Sequence, residues 1–343
     1  MSVLRTSFAS NSLRNVVHSS KSPYRACLVA KQRRLLSGTT SDVSRLDATS
    51  VVSGNGATES TNSTSIKNVG FGFSAGGLVF PYLVGTTEGL SVGGLLTRDT
   101  PCAGASAGSL VAALYHSGMS SKDLMDGALE LSADCREYGT RGRLKQALEN
   151  TLRELLPQDA HIKCSGKAHV AITQVYPFND MGGYMVSEFD SREDLIQTLL
   201  TSCHIPMWFN NRPFTRYRQT FATDGGLVNF IPGPSDTDRV IRVCCFPARS
   251  LGPEFGIDLA PDTFSESKYS MSQLLSWAFE PAEEEVLWEL YEMGKRDGLR
   301  FARSSDLLEV QPPVDMEKVR SGTWARLRSV LTRTPEKEPA GRS

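Results

Sequence analysis

Gly104-Ala105-Ser106-Ala107-Gly108 is the pattern in this sequence best suited to nucleophilic chemistry. A serine becomes a useful nucleophile when a sharp strand-to-helix turn exposes its hydroxyl, and small residues on both sides let strand and helix approach closely enough to make that turn. A helix starting directly behind it also helps hold developing negative charge. A nucleophilic serine needs a base. The histidines downstream are His116, His161, His169 and His204; His116 falls in the expected elbow helix, His169 in an expected strand, and none sits in a late loop. Asp224-Gly225-Gly226 offers the alternative, a carboxylate presented at a strand end by a glycine turn. With an ordinary pKa of ~3.9, Asp224 would have to touch the serine hydroxyl in a partly desolvated site to work as a base. Ser74-Ala75-Gly76-Gly77 is the third element, a strand-to-helix junction whose N–H groups can point at an oxyanion. Its spacing is not that of a dinucleotide loop, and no Gly-Lys-Ser/Thr phosphate loop occurs.

Each of these residues needs an element to hold it. Val69 to Phe73 reads as a buried strand ending at the glycine loop, followed by a helix to about Leu90 with Pro81 in its first turn. Thr100 to Ala103 reads as a strand running into the elbow, and Leu110, Val111, Leu114 and Tyr115 keep a helical period that Gly118 ends. Leu144, Leu148, Leu152 and Leu155 mark an amphipathic helix within Gly142 to Leu156. Strands are predicted over His169 to Val175, Gly183 to Phe189, Tyr217 to Thr223 and Val240 to Phe246. Ser191 and Asp194 form a capping-box pair for a helix to about Ser202, and helices over Ser272 to Phe279 and Ala282 to Phe301 close the domain. Alternating strands and helices imply an α/β layered core.

The ends read differently. Met1 to Ser41 holds no Asp or Glu but seven Lys and Arg among many serines, the composition of an organelle transit peptide. Arg34-Leu35-Leu36-Ser37 resembles a mitochondrial processing site, which favours mitochondrion over plastid; a plain tail is the alternative. Residues 42–66 are Ser/Thr/Asn/Gly-rich and read as a linker, 67–305 as the catalytic domain, and 306–343 as a polar tail.

Composition limits the function classes. The 343 residues, 40% hydrophobic, suffice for one sizeable core, and a net charge of -1 gives no general reason to bind nucleic acid. The most apolar stretch, Leu78 to Leu96, is broken by Pro81, Glu88 and several glycines, so a spanning helix is not expected there. The seven cysteines form no C-x-x-C pair and the five histidines do not stand at ligand spacing with them, so reduced thiols are expected and neither a metal nor a cofactor. Met207-Trp208-Phe209 with Arg212, Phe214, Arg216, Tyr217 and Arg218 reads as a lipid-facing rim or as a loop packed on the core.

Taken in chain order, the glycine loop, the elbow serine and Asp224-Gly225-Gly226 resemble the patatin-like phospholipase family over roughly Val69 to Arg300. Phe73 to Leu78 with Tyr82 look like its first motif, Cys203-His204-Ile205-Pro206 like the segment ahead of its aspartate strand, and Asn229-Phe230-Ile231-Pro232 like the end of its last. The resemblance implies a three-layer α/β/α fold with a central, mostly parallel sheet. It implies Ser106 as nucleophile, Asp224 as base and the Ala75, Gly76 and Gly77 loop as oxyanion hole, with Gly104, Gly108, Gly225 and Gly226 shaping the turns. It further implies hydrolysis of acyl esters in phospholipids, galactolipids or triacylglycerols at a membrane or lipid-droplet surface, without a metal. Acyl transfer to an alcohol on the same pair, or a catalytically silent lipid-binding protein, are the alternatives. The loop departs from the family's Gly-x-Gly-x-x-Gly: Ala75 replaces a glycine, and Val79 and Phe80 stand where a basic residue and the last glycine belong.

Overall fold

The computed structural model describes residues 68–175, 182–305 and 307. The expected transit peptide (1–41), the linker (42–66) and most of the expected tail (306–343) lie outside the described residues. The chain opens with strand β1 (Val69–Phe73), a 3-10 turn (Gly77–Val79) and helix α1 (Pro81–Val92), then β2 (Cys102–Ala105) and α2 (Ala107–His116). Helices α3 (Ser121–Tyr138), α4 (Leu144–Leu155) and α5 (Ala160–Cys164) precede β3 (Ala168–Gln174) and β4 (Gly182–Val186). After α6 (Arg192–Ser202) come β5 (Thr215–Tyr217), β6 (Thr220–Asp224) and β7 (Arg239–Val243), and α7 (Ala248–Leu251), α8 (Met271–Phe279) and α9 (Glu284–Ser304) finish the domain.

The seven strands form one sheet in the order β5-β6-β3-β2-β1-β7, with β4 also pairing β3. β7, β1, β2 and β3 are parallel; β4 and β6 run against β3, and β5, antiparallel to β6, again follows the majority. Helices flank this mixed, mostly parallel sheet as a three-layer α/β/α fold. Burial on both faces is what makes β1 and β3 nearly continuous apolar runs: Phe71, Phe73, Val170 and Ile172 are all buried. Each such side chain contributes about 1.5–3 kcal/mol by leaving water.

Register explains why two distant residues meet. β2 pairs with β3 through Ala105↔Ala171, and β6 pairs with β3 from Ile172↔Asp224 onward. β4 occupies the other edge of β3 over the same residues, so β2 and β6 share one edge and point their C-terminal ends at each other. Ser106 and Asp224 are therefore the residues at which two strands stop head to head.

One helix pair depends on glycines in both partners. A Cβ on Gly85 or Gly89 of α1 would fall 1.9 or 2.2 Å from the Tyr291 or Lys295 carbonyl oxygen of α9. A Cβ on Gly294 or Gly298 of α9 would fall 2.0 or 2.4 Å from the Tyr82 or Thr86 carbonyl oxygen. Two matched small-residue rows thus let the backbones touch, and Tyr82 closes the contact with a buried hydrogen bond to Asp297 at 3.1 Å.

Several boundaries differ from expectation. Tyr217 to Thr223 is a tight β5–β6 hairpin rather than one strand, because Arg218 turns the chain at φ 47. Helix α3, with a Ser120–Asp123 capping box, was not expected. At α6 only half of the expected box forms: Ser191 caps the Asp194 N–H at 3.1 Å, while the Asp194 carboxylate accepts from Asp190 and Arg218.

Candidate active site

Ser106 sits between β2 and α2 at φ 51, ψ −120, a conformation that an L residue adopts only under constraint. The flanking glycines supply the room. A Cβ on Gly104 would lie 2.1 Å from the Gly108 carbonyl, and a Cβ on Gly108 would lie 2.3 Å from the Phe73 carbonyl oxygen of β1. The Ser106 carbonyl accepts from the N–H groups of Ser109 (2.9 Å) and Leu110 (3.2 Å) and from the Ser109 hydroxyl (2.6 Å). Strand, serine and helix are locked as one turn, with the N-terminus of α2 behind the hydroxyl.

Asp224 ends β6 and is held at every backbone group. Its N–H donates to the His204 carbonyl at 2.9 Å, its carbonyl accepts from Thr173 Oγ1 at 2.8 Å, and Oδ1 accepts from the Gly226 N–H at 2.8 Å. Ser106 and Asp224 are each 5% exposed. Burial pushes the Asp224 carboxyl up to about 6, against the opposing pull of the Gly226 N–H and of the Ser106 hydroxyl, which faces it. A carboxyl so placed is a far better proton acceptor than an exposed one. His116 is buried edge-on to Tyr115, His169 is buried in β3, and the His204 ring meets the Arg212 carbonyl at 3.1 Å.

The glycine loop lies beside this pair. The Ser74 and Ala75 N–H groups donate to the Val243 and Phe230 carbonyls at 3.0 Å each, which removes Ala75 from the expected set of oxyanion donors. Among the described residues the N–H groups of Gly76 and Gly77 meet no acceptor. The loop is wedged from both sides. A Cβ on Gly226 would approach Ala75 Cβ to 2.7 Å, and one on Gly77, at φ +54, would fall 2.1 Å from the Ala278 carbonyl oxygen of α8. Ala75 thus packs under the turn that follows Asp224, while Val79 and Phe80 are buried in the core. Among the described residues no cluster of His, Cys, Asp and Glu is placed to hold a metal.

The model of the patatin-like phospholipase family matches residues 73–233, from the last residue of β1 to just beyond the aspartate turn. The folded domain belongs to the patatin-like phospholipase family. Over 238 residues the chain is 28% identical to patatin-like phospholipase domain-containing protein 2 of Rattus norvegicus, covering 64% of this chain and 47% of that protein. It is 27% identical to the Mus musculus 1-acylglycerol-3-phosphate O-acyltransferase Pnpla3, covering 68% and 59% respectively. Patatin-like phospholipase domain-containing protein 4 of Homo sapiens is 26% identical, covering 71% of this chain and all of that one. The chain spans about half the length of the first of these relatives.

Exposed apolar side chains stand near the patatin-like site. Leu227 and Val228, next to the aspartate turn, and Leu275 and Phe279, on the helix that abuts Gly77, are exposed on either side of the glycine loop. The aromatic-basic stretch is partly packed on the core, with Met207, Arg212 and Arg216 exposed. Phe209 and Tyr217 are buried, Arg218 pairs with Asp194 at 2.8 Å, and Trp208 stacks edge-on against Phe279, leaving Met207 exposed. The six described cysteines are buried and unbridged. Among the described residues no helix is long and apolar enough to cross a membrane. Sequence reasoning missed two neighbours of Ser106. The Cys203 thiol lies against the Ser106 and Ser109 hydroxyls, and burial drives its pKa up; Ser202 Oγ accepts the Ser106 N–H at 2.9 Å.

Proposed function

We propose that the chain is a lipid acyl hydrolase in which Ser106 and Asp224 act as a dyad. The carrying observation is the strained, buried Ser106 at the end of β2, set head to head with the buried carboxyl of Asp224 at the end of β6. Ser106 Oγ attacks the acyl carbonyl as Asp224 takes its proton, and the Gly76 and Gly77 N–H groups receive the oxyanion. The tetrahedral adduct collapses, the bond between the acyl carbon and the alkoxy oxygen breaks and Asp224 protonates the departing alcohol, leaving an acyl-serine. A water then repeats the sequence with Asp224 as base and frees the fatty acid. The exposed apolar side chains Leu227, Val228, Leu275 and Phe279 near the loop suit acyl chains presented by a membrane or droplet, with the enzyme approaching from the aqueous side. An acceptor alcohol in place of water would make the same site a transferase, a reading favoured by the relative named as an acylglycerol-phosphate acyltransferase. Delivery to the mitochondrion by residues 1–41 is part of the proposal.

The test is a panel of phospholipid, galactolipid and triacylglycerol substrates with and without added lysolipid, products being separated by chain type. Free fatty acid is expected, and acyl lysolipid product in its place would convert the reading to transferase. No product from any lipid, together with no labelling of Ser106 by a fluorophosphonate, would sink it. A pH profile gives a second check. Ionised Asp224 is the working form, so log kcat/KM is expected to rise with unit slope up to pH about 6 and then level off. A plateau extending down to pH 4 would show that the base is another group.

A further inference from the structure

The parallel ladder between β2 and β3 has a rung missing directly under the nucleophile. Every second residue of β2 donates to β3, starting with the Cys102 N–H to the Lys167 carbonyl at 2.9 Å. That alternation makes the Ser106 N–H the next donor due, with the Ala171 carbonyl as its acceptor. Direct contact is lost because the elbow lifts Ser106 out of the strand at φ 51. The hydroxyl of Ser202, at the C-terminal end of α6, bridges the gap: it accepts the Ser106 N–H at 2.9 Å and donates to the Ala171 carbonyl at 2.7 Å. Ser202 is wholly buried, so no water stands ready to replace it.

We infer that Ser202 is a positioning residue, a hydroxyl rung that holds the strained nucleophile in line with its base. Two further residues of the same short segment contribute. The Cys203 thiol lies against the Ser106 hydroxyl, and the His204 carbonyl accepts from the Asp224 N–H at 2.9 Å and from Thr223 Oγ1 at 2.7 Å. Three consecutive residues thus fix the amide of the nucleophile, the space beside its hydroxyl and the backbone of the base. The inference rests on the proposed dyad.

Removing the rung strands a buried N–H and a buried carbonyl at the point where the serine must be aimed. Ser202→Ala is therefore expected to lower kcat about 10- to 100-fold, with KM within about 3-fold of wild type. The rate of Ser106 labelling by a fluorophosphonate is expected to fall in parallel, and Ser202→Thr, which keeps the hydroxyl, to recover most of both. Ser202→Cys, close in shape but a weak hydrogen-bonding partner, is expected to track alanine, and it is the variant to read if alanine does not fold. Wild-type kcat and labelling in Ser202→Ala or Ser202→Cys would overturn the inference while leaving the dyad standing. Failure of the wild-type protein itself to label at Ser106 would overturn both.

Discussion

Ser106→Ala is expected to lower kcat for acyl-ester hydrolysis by at least about 10⁴-fold, and Asp224→Asn by about 10²–10⁴-fold. The double variant is expected to be no worse than Ser106→Ala alone, because nucleophile and base act as a unit whose losses do not add. Loss of activity alone would not separate a missing base from a damaged fold, but the pKa of Asp224 does. The carboxyl is raised from 3.8 to about 6 by burial, so the folded protein favours its protonated form. Its stability contribution is complete below pH ~4 and is lost as the pH rises through about 6, where ionised Asp224 costs on the order of 3 kcal/mol. An asparagine can still accept from the Gly226 N–H but never ionises. Asp224→Asn should therefore melt several degrees above wild type at pH 8, and the gap should close towards pH 4. An inactive variant that is more stable at high pH and no more stable at low pH is the signature of a buried working base. A variant that is equally or less stable at pH 8 would place the carboxyl in an ordinary, hydrated setting.

The strand-to-helix turn at Ser106 was legible because its requirements are local. Gly104, Ser106 and Gly108 must be small or strained in any strand-to-helix elbow, and the sequence states them within five residues. Asp224 was legible only in company: nothing near it says that β6 ends against β2, which is a property of register on β3. The hydrogen-bond partners of the glycine loop were not legible. Whether Ala75 offers its N–H depends on the Phe230 carbonyl, a contact between segments far apart in the chain. Ser202 went unread for the same reason, since one buried serine at a helix end carries no signal until the rung it fills is visible. Helix α3 and the glycine rows of α1 and α9 were a different kind of omission. Leu124, Ala128, Leu131 and Cys135 keep a helical period behind a Ser120 cap, and Gly85, Gly89, Gly294 and Gly298 recur every fourth residue on two helices. Those patterns were present in the sequence.

Gly77→Ala is expected to remove most activity, about 10²–10³-fold in kcat, and to destabilise the protein as well. Two independent obstacles act at this position. The backbone stands at φ +54, where an added Cβ is strained, and that Cβ would lie 2.1 Å from the Ala278 carbonyl oxygen. The obstacle is main chain, so relief requires either α8 or the loop to move, and the loop carries both unengaged N–H groups beside Ser106. Gly76→Ala makes the informative contrast. Its Cβ would meet only the Cys245 Sγ, at 2.4 Å, with the next atoms at 3.7 Å and beyond. Shortening that side chain frees the space, so Gly76→Ala combined with Cys245→Ala should regain a substantial part of the rate lost in Gly76→Ala. The same Cys245→Ala change should do nothing for Gly77→Ala. Rates and melting temperatures of the four variants decide the matter. If Gly77→Ala turned over like wild type, its N–H would not be one of the oxyanion donors, and the proposed hole would have to be rebuilt from Gly76 and the N-terminus of α2.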